Sequence, residues 1–209
     1  KSQDLLLHTW PSAEAQAAAI ADDIAYDAHD LDDGLRAGLF AIEDMKDVPF
    51  LAGILREVDT KYPGLEESRR IHEIVRRSIT RMVEDVINEA LGRIEEVNPR
   101  SVQDVRNAGR CLVDFSKDMA AAEKEVKTFL FARVYRHEDV LAVRRLVAGV
   151  VRDLFAKFMA EPETMPAPWS DNTGSIDETV LARRVCDYIA GMTDRFAIDE
   201  HRRLFDDTP

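Results

Sequence analysis

Apolar and polar positions alternate along most of the chain with a period of three to four residues, the repeat that turns one face of a helix towards a core. The run "AEAQAAAIADDIAYDA" follows Ser12, whose hydroxyl is free to accept from an orphan backbone N–H, and Glu14 falls in the first turn, where negative charge suits the helix dipole. Ala15 stands where a full capping box needs Glu or Gln. The pattern predicts a helix to about residue 28, a short one over 31–42, and a third over 49–58 that ends before the "KYPG" turn. The longest periodic stretch is "EESRRIHEIVRRSITRMVEDVINEALGRIEEV", in which Ile71, Val75, Ile79, Met82, Val86 and Ile87 make one face apolar. Beyond the polar connection "NPRSVQDVRNAG", with room for its own turn of helix, two more helices are predicted over 118–135 and 139–159. A Pro-rich loop, "EPETMPAPWSDNTGS", then leads to a closing helix pair in "IDETVLARRVCDYIAGMTDRFAIDEHRRLF". No segment reads as a strand or a repeat, and no heptad pattern persists. The fold class is therefore all-α, an irregular multi-helix array.

Composition narrows the partners more than the fold. With 209 residues the chain is long enough for a sizeable core. Its net charge of -12 argues against a broad nucleic-acid surface, which needs a basic face to neutralise phosphates. A local basic pocket for a small phosphorylated ligand is compatible with that average. Cys111 and Cys186 are spaced neither as a disulfide framework nor as zinc ligands, which fits a reducing cytoplasm. No apolar run has the length of a membrane span, and no signal peptide opens the chain. The start at Lys1, without Met, reads as an entry into the middle of a longer protein.

Candidate chemistry concentrates in "EAQAAAIADDIAYDAHDLDDGLRAGLF". Asp22, Tyr26 and Asp30 are four and four apart, so at about 100° per residue they share one broad helix face. Ala19, Ala25 and Ala28 beside them let a helix or ligand approach closely. A carboxylate on such a face can ligate a divalent cation, and a phenol one turn away can touch that cation's substrate. The plain alternative is an acidic, solvated helix surface, which is what most acidic helices are.

The string "ADDIAYDAHDLDDGLRAGLF" resembles the last metal-site motif of the dGTPase-like triphosphohydrolases of the HD-domain superfamily. The resemblance continues through "RRSITRMVEDVI", "KTFLFARVYRH" and "RVCDYIAGMTDRFAIDEHRRLF", so it touches nearly the whole chain. It implies that residues 1–60 end an HD-type catalytic domain and that 61–209 form a C-terminal helical domain. It also implies Asp22 as the late metal ligand, Tyr26 as a tyrosine facing the nucleotide and its phosphates, and Asp30 as an acid contacting the deoxyribose. The cofactor so implied is a divalent metal ion, Mg²⁺ or Mn²⁺. The implied substrate is a dNTP, and the implied assembly a homo-oligomer.

His29-Asp30 spells the superfamily's namesake pair but lacks the Gly- and His-rich context of the true one, so His29 reads as a helix-end residue. The resemblance implies an early His, a His-Asp pair and the late Asp as metal ligands; of these four only the last is present, and a lone carboxylate cannot hold a catalytic metal tightly. The expectation is a chain that by itself neither binds metal strongly nor hydrolyses dNTPs, with no certain catalytic residue of its own.

Arg69, Arg70, His72, Arg76 and Arg77 form the dense basic run. Arg69, His72 and Arg76 can share a face and clamp a triphosphate, which makes His72 and Arg76 candidate substrate contacts; pairing with Glu66, Glu67 and Glu73 is the alternative. Tyr135 and His137 read as packing or oligomer-contact residues. Trp10 and Trp169 stand next to prolines, where they could anchor partner surfaces. Two functions follow: part of a dNTP triphosphohydrolase, or a non-enzymatic oligomerisation or regulatory module on the same scaffold. A nucleotide phosphodiesterase is a third, weaker reading.

Overall fold

A computed structural model describes residues 6–205. Those residues form eight α-helices with short 3-10 and π turns between them, and no strand. The chain divides into two compact units, Lys1–His137 and Glu138–Pro209. The boundary expected near residue 60 falls inside the first unit, between helices that share one core.

Helix α1 (Ala13–Arg36) starts where the Ser12 hydroxyl accepts from the Ala15 N–H at 3.4 Å. It runs unbroken through residue 28, the expected helix end, and on to Arg36. The reason is visible in the spacing: Ile24, Ala28, Leu31 and Leu35 are all buried and continue one stripe across "AHDL", which contains no Gly or Pro. The predicted second helix is therefore the last two turns of the first, followed by a turn at Gly38 (φ 69°) and a 3-10 segment, Ile42–Asp47.

Helix α2 (Pro49–Lys61) has Pro at its first position, where the missing N–H costs nothing. Helix α3 (Glu67–Val97) ends at Asn98 in the left-handed region (φ 48°). After the short α4 (Val102–Arg106), α5 (Lys117–Leu130) is capped by Ser116, which is itself held by the Asp85 carboxylate at 2.7 Å. A π turn, Phe131–Tyr135, continues α5.

Leu31, Leu51, Ile54, Val58, Ile74 and Leu130 lie at the centre of this unit, so α1, α2, α3 and α5 meet there. A smaller cluster joins Ile24 of α1 to Met82 and Val86 of α3 and to Phe115. Buried Gln16 fastens α1 to the loop before α5: its side-chain oxygen accepts from the Leu112 and Val113 N–H groups at 2.7 and 3.0 Å, and its amide donates to the Pro11 carbonyl at 2.7 Å. The apolar face predicted on α3 is only partly core. Ile71, Met82 and Val86 are buried, whereas Ile79 and Ile87 are 37% and 52% exposed.

In the second unit, α6 (Glu138–Ala160), α7 (Glu178–Ala190) and α8 (Asp194–Leu204) enclose Leu154, Phe158, Val185 and Tyr188. Trp169 packs on Tyr188 with ring centroids 5.3 Å apart, so it serves this core instead of an outer surface. Trp10 is 41% exposed.

Candidate functional site

Helix α1 places Asp22, Tyr26 and Asp30 on successive turns, and the three differ in what surrounds them. Asp22 is exposed, Tyr26 is 57% exposed and Asp30 is half-buried. Tyr26 and Asp30 are joined by a residue not assigned to a site from sequence. The Tyr135 hydroxyl, projecting from the π turn, lies 2.9 Å from that of Tyr26 and donates to the Asp30 carboxylate. Burial, then the bonds to Asp30 and Tyr26, raises the Tyr135 pKa above the ordinary phenol value, so it stays a protonated donor at neutral pH. The signal that marks Tyr135 is the extra residue of a π turn, a feature that recurs at functional sites but cannot be read from apolar spacing.

The approach of the π turn to α1 depends on Gly34, one turn beyond Asp30. A Cβ there would stand 2.4 Å from the Phe40 ring and 3.0 Å from Val134, the residue beside Tyr135. On the adjoining buried side of α1, Asp27 is 1% exposed and its Oδ2 has no hydrogen-bond partner. Burial pushes its pKa up to about 7; nearby Lys127 opposes the shift, and Glu123, Asp23 and Asp30 add to it. Lys127 spans from Glu123, its contact within α5, to Asp23 of α1 at 3.2 Å.

The donor set for a metal is incomplete. Among the described residues no three His, Cys, Asp or Glu side chains are grouped to hold a cation. His29 is exposed and lines an apolar trough instead of turning to Asp22. One exposed carboxylate does not fit a tightly bound divalent ion, which needs several converging donors.

The basic run on α3 is largely neutralised. Arg70 bonds both oxygens of Asp59 at 2.8 Å; Arg77, 9% exposed, meets Glu57 at 2.5 Å; and Arg76 meets Glu73 at 2.8 Å. Arg69 and His72 instead line a shallow pocket of about 390 Å³ with Tyr62, Leu65 and Glu73. No residue of α1 lines that pocket. The predicted contacts thus fall in two places, Tyr26 with Asp30 on α1 and His72 beside Arg69 on α3, while Arg76 belongs to an ion pair.

The described residues are all-helical, with carboxylates and a phenol exposed or half-buried along α1. Residues 113–203 match the family described as "Phosphohydrolase-associated domain". A "Deoxyguanosinetriphosphate triphosphohydrolase-like protein" of Rhizobium meliloti (strain 1021) is 53% identical over 207 residues, covering 99% of this chain and 51% of the relative. The protein of the same name from Cereibacter sphaeroides (strain ATCC 17029 / ATH 2.4.9) is 54% identical over 202 residues, covering 96% of this chain and 53% of the relative. "Deoxyguanosinetriphosphate triphosphohydrolase-like protein 1" of Mesorhizobium japonicum is 51% identical over 207 residues, 99% of this chain and 51% of its own length. Over nearly its whole length the chain is thus about half identical to proteins named deoxyguanosinetriphosphate triphosphohydrolase-like. It spans about half the length of the curated relatives it matches.

Proposed function

We propose that this chain supplies part of the nucleotide site of a dNTP triphosphohydrolase, an enzyme that converts a dNTP and water into a deoxynucleoside and inorganic triphosphate. The observation that carries this reading is the Tyr26–Tyr135–Asp30 network, one turn from Asp22, in a chain about half identical to relatives named for that reaction. Tyr26 presents an exposed phenol whose hydroxyl can exchange its bond to Tyr135 for one to a phosphate or sugar oxygen. Asp30, fixed by Tyr135, offers its remaining lone pairs to a sugar hydroxyl, and Tyr135 acts by holding that carboxylate in place. Asp22 would be one donor to a divalent metal, Mg²⁺ or Mn²⁺, whose other ligands would come from outside this chain. When bound, such a metal supplies charge neutralisation at the phosphates.

His72 and Arg69 form a second anion-accepting spot on α3, with Arg76 behind them in its pair with Glu73. The chain by itself is inactive on this reading, because a single carboxylate leaves the metal unheld. Two free thiols, Cys111 and Cys186, suit a reducing cytoplasm, and among the described residues no helix is long and apolar enough to cross a membrane.

The test is product analysis with the family-length protein. Incubation with each dNTP and Mn²⁺ or Mg²⁺ should release triphosphate and deoxynucleoside in equal amounts. Pyrophosphate with monophosphate would instead indicate a phosphodiesterase. No turnover of any dNTP would leave the scaffold with an oligomerisation or regulatory role.

A further inference from the structure

Helix α3 is apolar on two sides. One side packs into the core through Ile71, Ile74 and Met82. The other is a separate stripe, Ile79, Val83, Ile87, Leu91 and Ile94, at spacings of four, four, four and three, with exposures from 37% to 62%. Five large aliphatic side chains in line on one helix face exceed the scattered apolar residues of an ordinary surface. Where the stripe meets α1 it walls a trough of about 360 Å³, whose other wall is Ala17, Ala21 and Ala25. His29 is the one titratable residue in its lining.

The shape and chemistry select the occupant. The trough runs between two helices, and its alanine wall lets a third backbone come within the 8–10 Å or so of ordinary helix packing. A lining without a single Asp, Glu, Lys or Arg gives no purchase to phosphate, nucleic acid or a charged peptide. Such a surface has the composition of a core cut in half, which is the mark of a permanent contact. Relatives about half identical to this chain are about twice its length, so a stretch of chain as long again is available to cover it. Covalent linkage also favours that segment over a second molecule through its high effective concentration.

We propose that the α1–α3 trough and the stripe that extends it to Ile94 seat an apolar-faced helix from the part of the family-length protein outside these 209 residues. α3 is then a central helix of the intact fold, covered on both sides. The inference does not depend on the triphosphohydrolase reading and survives its failure.

Thiol labelling of the family-length protein tests it. Cysteines introduced as Ile87→Cys and, separately, Val83→Cys are read by peptide-resolved mass spectrometry against the exposed control Asn88→Cys on the same helix. Both trough positions should label at least ten-fold more slowly than the control, at every protein concentration down to that of the single chain. Labelling as fast as the control overturns the proposal. So does protection that disappears on dilution, which would assign the face to a second copy. Hydroxyl-radical footprinting of the unsubstituted protein gives the same reading at Leu91 should the variants fail to fold. There, modification ten-fold below the denatured rate is expected, and modification near that rate overturns the proposal.

Discussion

Tyr135 donates its hydroxyl to the Asp30 carboxylate across a sequence separation of 105 residues, and so ties the π turn that ends the first unit to the middle of α1. A hydrogen bond to a charged group contributes about 1.5–3 kcal/mol, equivalent to roughly 10–100-fold in a rate or equilibrium. Tyr135→Phe in the family-length protein should therefore lower kcat/KM for dNTP by about that factor while leaving the helical circular dichroism intact. Because Tyr135 acts through Asp30, Asp30→Asn should remove most of the same effect, and the double variant should be little worse than either single one. Additive losses would separate the two residues.

Gly34 sets how closely the π turn can approach. With 2.4 Å between a new Cβ and the buried Phe40 ring, Gly34→Ala forces a shift in a packed core and should destabilise by about 1–3 kcal/mol. Gly92 provides the contrast. It lies inside α3 with nothing within 4 Å of an added methyl, so Gly92→Ala should stabilise by about 0.5–1 kcal/mol. Urea unfolding of the two variants checks both signs.

Asp27 gives the stability a pH dependence of defined direction. Its pKa is raised from 3.8 to about 7, so the folded chain holds this proton more tightly than the unfolded chain does. The stability it contributes is full below about pH 4 and is lost as pH rises to about 7. Asp27→Asn should be more stable than the parent at pH 8 by about 1–3 kcal/mol, with the gap closing towards pH 4. Thermal unfolding across that range, followed for both proteins, would show a constant gap if the carboxyl did not titrate there.

Arg77 and Arg69 stand eight residues apart on α3 and should respond differently to truncation. Arg77 is nearly buried and is held by Glu57 and Glu73 at 2.5 and 3.3 Å, whereas Arg69 is exposed beside the shallow pocket. Arg77→Ala removes a nearly buried guanidinium from between Glu57 and Glu73, which keep only Arg81 and Arg76 as partners, and should cost about 1–3 kcal/mol. Arg69→Ala should stay within about 0.5 kcal/mol of the parent. Denaturant midpoints decide between this and a uniformly solvated basic face.

What could be read from the sequence was local. Ser12 as a cap, Pro49 as a helix start and the shared face of Tyr26 and Asp30 follow from chemistry within a few residues, and each is present in the fold. The expected division of α1 near residue 28 does not occur, because Leu31 and Leu35 continue the buried stripe across "AHDLDD". Asp27 sits on that same stripe, three after Ile24 and four before Leu31, so its burial was in principle legible. Tyr135 was not, because its partner is brought to it by the packing of α5 on α1. Ile79 and Ile87 read as core because they are apolar at helical spacing, and the pattern cannot say which chain covers them.

Asp22 carries the functional account, and triphosphate release by Asp22→Ala in the family-length protein is its most direct test. The account predicts that release falls to background, with the helical content and unfolding midpoint of the parent retained, since Asp22 is exposed. Release at the parent rate would contradict it.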